Sequence, residues 1–426
     1  MRLTFKIALA VLTASSALAN PLPAPQAGMQ RWIVTFKPTV KREGRDSALA
    51  ALNVTAAAHI ATDGDTDNEF SAAVVDLPAG QTLAAPAFSA QAAGGSAIVS
   101  IEPDQRVKWI EQAQISFQAT PFAVGAGAFH FPKAADYVSN PAKLAALRER
   151  PELTWGINRV HAPAAWDVTE GAGVKVAIID TGIDLHHPDL AGKVDGGYSA
   201  ITKTEKPEDY QDDNGHGTHV SGTVAALRDG KGVVGVAPKA RLYAVKVLDA
   251  DGSGNLSDVI DGIVWAAKNG MQVGNMSLGA PTDSDAMHRA VRFAKGMGLV
   301  LVVAAGNSGG AVGYPGAYPE VITVAASDAN DKIAAFSSRG PSVKFIAPGV
   351  DIVSDKLGGG LISYNGTSMA TPHVTGLAAL AVSQGWTGLS GPDGVLNQLQ
   401  KAAKPLPGLA VEEEGSGMID AGRLVH

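Results

Sequence analysis

The stretch "VKVAIIDTGID" at residues 174–184 decides the fold class. An unbroken apolar run that stops at Asp180 and turns through a glycine is typical of a parallel strand covered on both faces. Further runs of this kind are "ARLYAVKVL" (240–248), "VGNMSLG" (273–279), "GLVLVVAAG" (298–306) and "VITVAAS" (321–327). We therefore expect a parallel sheet in the C-terminal part of the chain.

Amphipathic segments lie between these strands. "SDVIDGIVWAAKNG" carries one apolar stripe at helical spacing, with Ser257 as its predicted cap and Gly270 at its end. "DSDAMHRAVRFAKG" repeats the pattern with Met287 and Val291. The alternation predicts an α/β fold, a three-layer domain with a mostly parallel sheet. Its functional residues should lie at the carboxyl ends of the strands.

A smaller unit precedes this domain. "RWIVTFK", "FSAAVVDLP" and "AIVSIEPDQRVKWI" are predicted strands, and "DSALAALNVTAAAHI" and the weaker "QTLAAPAFSAQAAG" are predicted helices. This order indicates a small α+β domain of the ferredoxin-like kind over 31–111. Residues 112–150 show no sustained periodicity and are interpreted as a linker.

Composition limits the class of protein. The 426 residues allow two or three domains, and the net charge of −7 argues against nucleic acid or an anionic membrane as a partner. Arg2, Lys6, a short apolar run and the cleavage pattern Ala17-Leu18-Ala19 predict a signal peptide over 1–19 and a spacer over 20–30. A membrane anchor is the alternative, but the run is shorter than the about 20 residues needed. We expect a secreted, extracellular protein, and because it has no cysteine, disulfides cannot stabilise it.

Four polar residues lie at predicted ends of strands or starts of helices: Asp180, His216, Asn307 and Ser368. Each alone has a structural interpretation: a turn for Asp180 and Asn307, a loop or zinc site for His216, and a helix cap at Ser368 or the preceding Thr367. Zinc shared with His219 is disfavoured, since the spacing is three and no Glu lies between. Together they supply what a serine hydrolase needs, namely a hydroxyl, a base, an orienting carboxylate and an oxyanion donor.

The segments "AIIDTGID", "HGTHVSGTVAAL", "NMSLG", "AAGNSG" and "NGTSMATPHVTG" resemble the signature blocks of the subtilisin family of serine proteases over about 151–425. "GVAPKARLYAVKVLDADGSG" is similar to the connecting segment of the secreted bacterial type, and the order Asp, His, Ser is that of the family. The resemblance implies that Ser368 is the nucleophile, His216 the general base and then acid, and Asp180 the orienting carboxylate. The Asn307 side-chain amide and the Ser368 backbone N–H would form the oxyanion hole.

The resemblance also implies that a substrate binds as an added strand along Ser277–Ala280. The pocket for the residue before the scissile bond would be walled by Ser277, Leu278, Gly279, Ala304, Ala305, Gly306 and Gly313. Small, uncharged walls predict broad specificity with a preference for large apolar residues. A convertase that cleaves after paired basic residues is an alternative, although no acidic cluster marks this pocket.

A structural calcium ion is implied as well. The matching ligands are the carboxylates of Asp189 and Asp229 and the backbone carbonyls of Leu227, Lys231 and Val233, an oxygen set that suits calcium. The glutamine that completes the site in relatives is missing, and Pro151 and Glu152 fall near its place. A solvated Asp-Gly turn is the alternative. His186 and His187 are interpreted as a packed loop pair, and no organic cofactor is expected.

Residues 31–111 resemble the propeptide inhibitor of these proteases. Such a domain would template folding, fill the cleft with its C-terminal tail and be removed by the enzyme itself. The maturation cut is expected within 120–151, before a catalytic domain at 151–426. We expect a monomer that acts on proteins and peptides, with its propeptide as intramolecular inhibitor. An unrelated N-terminal domain and a non-catalytic peptide-binding relative are the alternatives.

Overall fold

The computed structural model describes residues 29–50, 52, 54–61, 70–78, 97–110 and 152–425. The predicted signal peptide, the spacer up to residue 28, the second N-terminal helix, the 112–150 linker and the expected maturation region up to residue 151 lie outside the described residues. Within the described ranges, no helix has the length and apolar character that crossing a membrane requires.

The strands, in chain order, are β1 (Met29–Phe36), β2 (Ala56–Ala61), β3 (Ser71–Pro78), β4 (Ile98–Pro103), β5 (Arg106–Lys108), β6 (Lys175–Asp180), β7 (Val194–Ser199), β8 (Arg241–Lys246), β9 (Ser253–Asn255), β10 (Val273–Met276), β11 (Val300–Ala304), β12 (Ile322–Ser327), β13 (Val343–Pro348), β14 (Ile352–Asp355), β15 (Leu361–Tyr364), β16 (Ala403–Lys404) and β17 (Met418–Ile419). The α-helices are α1 (Arg42–Ala50), α2 (Trp155–Arg159), α3 (Pro207–Tyr210), α4 (His216–Ala225), α5 (Leu256–Lys268), α6 (Asp285–Gly296), α7 (Thr367–Ser383), α8 (Val395–Ala402), α9 (Val411–Glu414) and α10 (Ala421–Leu424).

The central sheet has seven strands in the order β13-β12-β11-β10-β6-β8-β7. Every pairing within it is parallel. All five strands predicted from apolar runs are confirmed in this sheet, and β7 and β13 were not predicted. The chain order reverses between β6 and β10, and at such a point the loops after the two strands diverge and leave a crevice.

Helices cover both faces of the sheet, which confirms the three-layer α/β fold. Val176 and Ile178 of β6 face one core with α4 and α7, whereas Ala177 and Ile179 face the other core with α5 and α6. This alternation explains the unbroken apolar runs, because both sides of each strand are buried. The core stabilises the domain without disulfides, since the chain has no cysteine.

The N-terminal unit is a four-stranded antiparallel sheet in the order β2-β3-β1-β4. This is the strand order of the ferredoxin-like fold, as predicted. The expected helix over "DSALAALNVTAAAHI" is wrong in its second half. The structure ends α1 at Ala50 and places Ala56–Ala61 in β2, because pairing with β3 outweighs the helical preference of alanine.

The two faces of this small sheet have different partners. Trp32, Val34 and Val75 pack with Leu49 of α1. The opposite face, including Ile33, Phe70 and Val74, joins the core formed by α5 and α6 of the larger unit. The N-terminal sheet therefore lies against the outer surface of those two helices.

Candidate active site

Asp180 and His216 form a buried pair where β6 ends and α4 begins. The Nδ1 atom of His216 lies 2.8 Å from Oδ1 of Asp180, and the same oxygen accepts the Thr181 backbone N–H at 2.8 Å. Asp212 holds the turn before α4 in place, since its carboxylate accepts the N–H groups of Gly215 and Thr218 at 3.0 Å each. The imidazole is thereby fixed at the end of a central strand.

The charge of Asp180 determines the acid–base property of His216. Burial alone would lower the pKa of the His216 imidazole, but the Asp180 charge and hydrogen bond raise it above the ordinary value of 6.5. Because Nδ1 faces Asp180, Nε2 remains for proton transfer. In the part of the chain that the structure describes, Nε2 is buried and has no hydrogen-bond partner.

Ser368 lies in the first turn of α7, the helix that packs beside α4. Gly366 is the N-cap residue, so neither Thr367 nor Ser368 serves as the cap. Pro372 has no N–H, which deprives the Ser368 carbonyl of its usual i+4 donor. The hydroxyl of Ser277 replaces that donor at 2.7 Å. This contact ties the start of α7 to the end of β10.

The Ser368 hydroxyl itself donates to the Ser277 carbonyl at 3.0 Å. It is therefore not hydrogen-bonded to Nε2 of His216 in this structure. Ser368 and His216 are each 7% exposed, so both side chains are largely shielded from solvent. Serine and imidazole are brought to one side of the sheet, and their direct bond would require the hydroxyl to leave the Ser277 carbonyl.

Asn307 follows β11 and is oriented by Thr367. Its Oδ1 accepts both the backbone N–H and the hydroxyl of Thr367 at 2.9 Å. Since the oxygen is engaged, the amide N–H₂ group is directed elsewhere. A Cβ placed on Gly366 would lie 3.6 Å from Asn307 Nδ2 and 3.5 Å from the Ser368 nitrogen. Two N–H donors therefore border the space that Gly366 leaves open, which is how an oxyanion hole is built.

The predicted pocket residues come from three segments that the structure brings together. Ala280 and Tyr314 exchange two backbone hydrogen bonds of 2.8 Å, which hold the end of the 277–280 segment to the loop containing Gly313. The Gly313 N–H donates to the Ala305 carbonyl at 3.1 Å, and the Gly306 N–H donates to the Thr367 hydroxyl at 3.1 Å. The remaining members, Ser277, Leu278, Gly279 and Ala304, follow β10 or end β11.

The cleft is occupied by the chain that follows the N-terminal sheet. β5 pairs antiparallel with β9, and the Trp109 N–H donates to the Gly252 carbonyl at 3.1 Å. On the other side, the Trp109 carbonyl accepts the Gly279 N–H at 3.1 Å. The indole N–H donates to the Gly254 carbonyl at 2.9 Å, and the ring is 4% exposed. Residues 106–110 thus lie between two edge segments, as a bound peptide strand would.

Comparison with known proteins assigns the family. The model of the subtilase family matches residues 171–404, which is more than half of the chain. The chain belongs to the subtilase family. It is a serine endopeptidase, a hydrolase of peptide bonds.

Individual relatives of this subtilase are bacterial. The alkaline protease of Alkalihalobacillus alcalophilus is 40% identical over 333 residues, covering 76% of this chain and 83% of that protein. Subtilisin Savinase of Lederbergia lenta is 46% identical over 273 residues, covering 63% of this chain and 97% of that protein. Subtilisin E of Bacillus subtilis is 51% identical over 238 residues, covering 54% of this chain and 61% of that protein. The first match extends well beyond the span of the family model.

The predicted calcium residues of this subtilase lie around one loop. The Leu227 N–H donates to the Asp189 carbonyl at 2.9 Å, and the Val233 N–H donates to Oδ2 of Asp189 at 2.9 Å. A Cβ at Gly232, which has a φ of +49°, would lie 1.7 Å from the same oxygen. Oδ1 of Asp229 accepts the Lys231 N–H at 3.1 Å. The loop closes on Asp189 and offers carboxylate and carbonyl oxygens, a donor set that fits calcium.

Glu152 was not predicted as a site residue, although the sequence placed it near the missing glutamine. Its side chain accepts the Gly230 N–H at 2.6 Å, and its carbonyl accepts the Val234 N–H at 3.2 Å. The residue is 5% exposed. Glu152 therefore adds a buried carboxylate to the loop that contains Asp229 and Val233.

Two further buried histidines of the subtilase have structural contacts. Nε2 of His219 bonds the Ile352 carbonyl at 2.9 Å, and Nδ1 of His373 bonds the Met369 carbonyl at 2.9 Å. Burial lowers the pKa of His219 to about 3 and that of His373 to about 4. Both rings are therefore neutral, and the pairing of His216 with Asp180 leaves no support for a zinc site shared with His219.

Proposed function

We propose that this subtilase cleaves peptide bonds through an acyl-enzyme formed on Ser368, with His216 as the base and Asp180 as its orienting group. The observation that carries the proposal is the buried contact of 2.8 Å between Asp180 and Nδ1 of His216, on the same side of the sheet as the helix-start Ser368. This arrangement leaves Nε2 as the only ring nitrogen able to take a proton from a hydroxyl.

The reaction would begin when the Ser368 hydroxyl leaves the Ser277 carbonyl and transfers its proton to Nε2 of His216. Oγ attacks the substrate carbonyl, and the oxyanion accepts hydrogen bonds from Asn307 Nδ2 and the Ser368 N–H. His216 then gives its proton to the departing amine. Water, activated by the same base, hydrolyses the acyl-enzyme. Asp180 stays ionised and stabilises the imidazolium.

We also propose that residues 31–111 are the propeptide inhibitor of a precursor that matures itself. The domain arrangement would be a signal peptide at 1–19, a spacer at 20–30, a linker at 112–150 with the maturation cut in or near it, and the catalytic domain at 151–426. The strand pairing of residues 106–108 with β9 supports inhibition, because a peptide bound there blocks the cleft. Export from the cell and action as a monomer belong to the same proposal.

A structural calcium ion is the third part of the proposal. Asp189, Asp229 and Glu152 would supply carboxylate oxygens, and Leu227, Lys231 and Val233 would supply carbonyl oxygens. The ion would cross-link the loop after α4 to the segments around Asp189 and Glu152. It would stabilise the fold and take no part in the chemical step.

The decisive experiment is labelling with a fluorophosphonate probe, which reacts with an activated serine. We expect one adduct, located on Ser368 by peptide mapping. Ser368→Ala should abolish labelling and leave a full-length precursor. Ser363→Ala, which changes an exposed serine on β15, is the matched control and should behave as the parent. Labelling elsewhere would refute the nucleophile assignment, and maturation of Ser368→Ala would refute self-processing.

Specificity is tested separately with a peptide library. The small, uncharged segments around Gly279, Gly306 and Gly313 favour large apolar residues before the cleaved bond. Cleavage confined to sites after paired basic residues would instead support the convertase alternative.

A further inference from the structure

A second cluster of buried polar side chains lies outside the proposed catalytic groups. His187, Asp189 and Asp355 place their potential ligand atoms within 4.8 Å of one another. They are 2%, 8% and 0% exposed, respectively. Among the residues that the structure describes, this is the only group of three His, Cys, Asp or Glu side chains that meets this distance. Glu152 and Asp229 of the proposed calcium loop are not part of it.

The Asp355 carboxylate lies beside the His187 ring and the Asp189 carboxylate. Both of its carboxylate oxygens are buried and lack a hydrogen-bond donor within the described ranges, and its Oδ2 lies 3.6 Å from Nδ1 of His187. A fully buried carboxylate in such surroundings requires a cation or a proton.

Neighbouring residues do not supply that cation. Asp184 is itself anionic, and its oxygens accept the Gly358 N–H at 2.9 Å, the His186 N–H at 3.0 Å and the Gln211 amide at 3.2 Å. Over the described ranges, no Lys or Arg forms a salt bridge with Asp184, Asp189 or Asp355. Within the described residues, the negative charge of this cluster therefore has no lysine or arginine partner.

His187 is oriented as a metal-bound histidine is. Its Nε2 lies 3.1 Å from the Gly360 carbonyl and donates to it, which leaves Nδ1 as the lone-pair nitrogen. Nδ1 accepts a long hydrogen bond of 3.3 Å from the Asp189 backbone N–H. Nδ1 also lies 3.6 Å from Oδ2 of Asp355, and the Gly360 carbonyl on the opposite side of the ring fixes the tautomer.

We propose that His187, Asp189 and Asp355 form a buried binding site for a divalent cation of the zinc class. An imidazole nitrogen with two carboxylates in a three-residue set suits zinc, whereas calcium takes six to eight oxygens. Such an ion would join the segment after β6 to the hairpin of β14 and β15, which are distant in sequence. Its role would be to stabilise the fold, and it does not depend on the catalytic assignment.

The site is separable from the proposed calcium loop, with which it shares Asp189. Asp355 and His187 belong to the zinc site alone, and Asp229 belongs to the calcium loop alone. The experiment uses the full chain with Ser368→Ala, so that self-digestion does not interfere, and keeps calcium present throughout. Metal content after dialysis against Zn²⁺ is measured by mass spectrometry, and thermal melting is measured with and without Zn²⁺.

We expect one zinc per chain and a rise in Tm of about 5 °C or more at saturating Zn²⁺. Asp355→Asn, which keeps the side-chain shape, should lose both the zinc and the rise. Asp167→Asn, at an exposed position, is the matched control and should keep both, whereas Asp229→Asn tests whether the metal lies in the calcium loop instead. His187→Gln should also lose the zinc and the rise in Tm. If that variant fails to fold, Co²⁺ provides a second readout, because its visible spectrum reports a nitrogen ligand in the parent and is lost in Asp355→Asn.

Three results would overturn the proposal. The first is a parent chain that binds no zinc and gains stability from Asp355→Asn in its absence, which would mean that Asp355 shares a proton with Asp189. The second is zinc binding that Asp355→Asn leaves intact. Loss of binding in Asp229→Asn alone would assign the metal to the calcium loop and likewise contradict the buried site.

Discussion

At the scale of single residues, each proposed catalytic group is held by a neighbour that performs no chemistry. Asp180 orients His216, Thr367 fixes the oxygen of Asn307, and Ser277 bonds both the carbonyl and the hydroxyl of Ser368. Because the bonds to His216 and Asn307 exist before substrate binds, these two groups need little reorganisation during the reaction, whereas the Ser368 hydroxyl must leave the Ser277 carbonyl. Preorganisation of this kind is the main source of electrostatic stabilisation of a transition state.

Asn307→Ala should lower kcat by about 10²–10³-fold with little change in KM, a range measured for the corresponding donor in subtilisin and carried over here. Under the proposed mechanism, the Asn307 amide contacts the oxyanion, which exists only after attack. Steady-state kinetics on a peptide substrate gives both constants. Asn269→Ala, at an exposed position, is the control and should leave kcat unchanged. An increase in KM with an unchanged kcat would place Asn307 in ground-state binding instead.

The pH dependence of activity should follow the His216 imidazole. Its pKa is raised above 6.5 by Asp180 against the effect of burial, and only the neutral ring accepts a proton. The value of kcat/KM should therefore fall as the pH drops through this raised pKa. Asp180→Asn removes the charge that raises the pKa of His216. The fall of kcat/KM at acid pH, the acid limb of the profile, should therefore move to lower pH, and kcat should fall about 10⁴-fold. Asp167→Asn, at an exposed site, is the control and should leave the profile unchanged. If the acid limb does not move in Asp180→Asn, the titrating group is not His216.

The sequence indicated candidate residues but not their contacts. Asp180, His216, Asn307 and Ser368 were selected because each lies at a predicted strand end or helix start and matches a signature block of the family. The role of Thr367, and the bond from Ser368 to Ser277, could not be predicted from the sequence because they depend on how α7 approaches β10. Glu152 was hard to identify for the same reason, since its partner Gly230 is distant in sequence.

At the scale of elements, the first turn of α7 lacks one backbone hydrogen bond, which a side chain of the segment after β10 replaces. Pro372 removes the N–H that would bond the Ser368 carbonyl, and the Ser277 hydroxyl takes its place at 2.7 Å. The Asn275 side chain donates to the same hydroxyl at 2.9 Å. The cleft segment after β10 and the nucleophile helix are therefore coupled by one hydroxyl group.

Ser277→Ala should destabilise the fold by about 1–3 kcal/mol, because it leaves a buried carbonyl without a donor. In a Pro372→Ala background the helix regains its own N–H, so Ser277→Ala should lower the free energy of unfolding by clearly less. Melting temperatures of the four proteins, all with Ser368→Ala, give the coupling between the two sites. Equal losses in both backgrounds would show that the carbonyl does not rely on the hydroxyl.

Element boundaries show where the sequence pattern was insufficient. The continuous apolar strands and the helices α5 and α6 were predicted because their periodicity is strong. β7 was missed because "VDGGYS" contains two glycines, which weaken a strand signal. The structure requires the second of them, since a Cβ at Gly197 would lie 2.4 Å from the Ala244 carbonyl and 2.8 Å from the Tyr210 ring.

The predicted cap of α5 was also wrong, for a reason outside that helix. Asn255 is the N-cap residue, and Ser257 lies within the first turn. The N–H and hydroxyl of Ser257 both donate to Asp104, at 2.9 Å and 2.7 Å. A carboxylate from the N-terminal unit thus accepts the hydrogen bonds of a residue in the first turn of this helix. No local pattern in α5 could have indicated that partner.

At the scale of the whole molecule, calcium should stabilise the larger unit. In the Ser368→Ala chain, free calcium at about 100 times its Kd should add about 2.7 kcal/mol, or about 5–10 °C in Tm. The ion would replace hydrogen bonds that now close the loop on Asp189. Calcium titrations followed by thermal melting test this, with zinc excluded. Asp229→Ala should lose the dependence while the exposed Asp167→Ala retains it; identical melting with and without calcium would contradict the site.

The N-terminal sheet contacts the larger unit through two carboxylates as well as through its apolar face. Asp104 accepts from the start of α5, and Glu102 accepts the Ala286 N–H at the start of α6 at 2.7 Å. Negative charge at a helix N-terminus is favourable. Both side chains are nevertheless largely buried, and burial raises the pKa of Glu102 and raises that of Asp104 to about 6. Attachment of this unit should therefore depend on pH.

The direction of that dependence follows from Asp104. Its pKa is 3.8 when free and about 6 in the folded chain, so the folded chain holds the proton more tightly. The stability that the protonated Asp104 contributes is fully present below pH 3.8, the pKa of the free side chain, and is lost as the pH rises through about 6. In the Ser368→Ala chain, the Tm advantage of Asp104 over Asp104→Asn should therefore shrink from pH 5 to pH 7.5. Glu43→Gln, an exposed change on α1, should show a Tm difference that does not vary over this range. An advantage that grows with pH would mean that helix-end stabilisation of the carboxylate outweighs its burial, and the N-terminal unit would then be held more firmly as the pH rises.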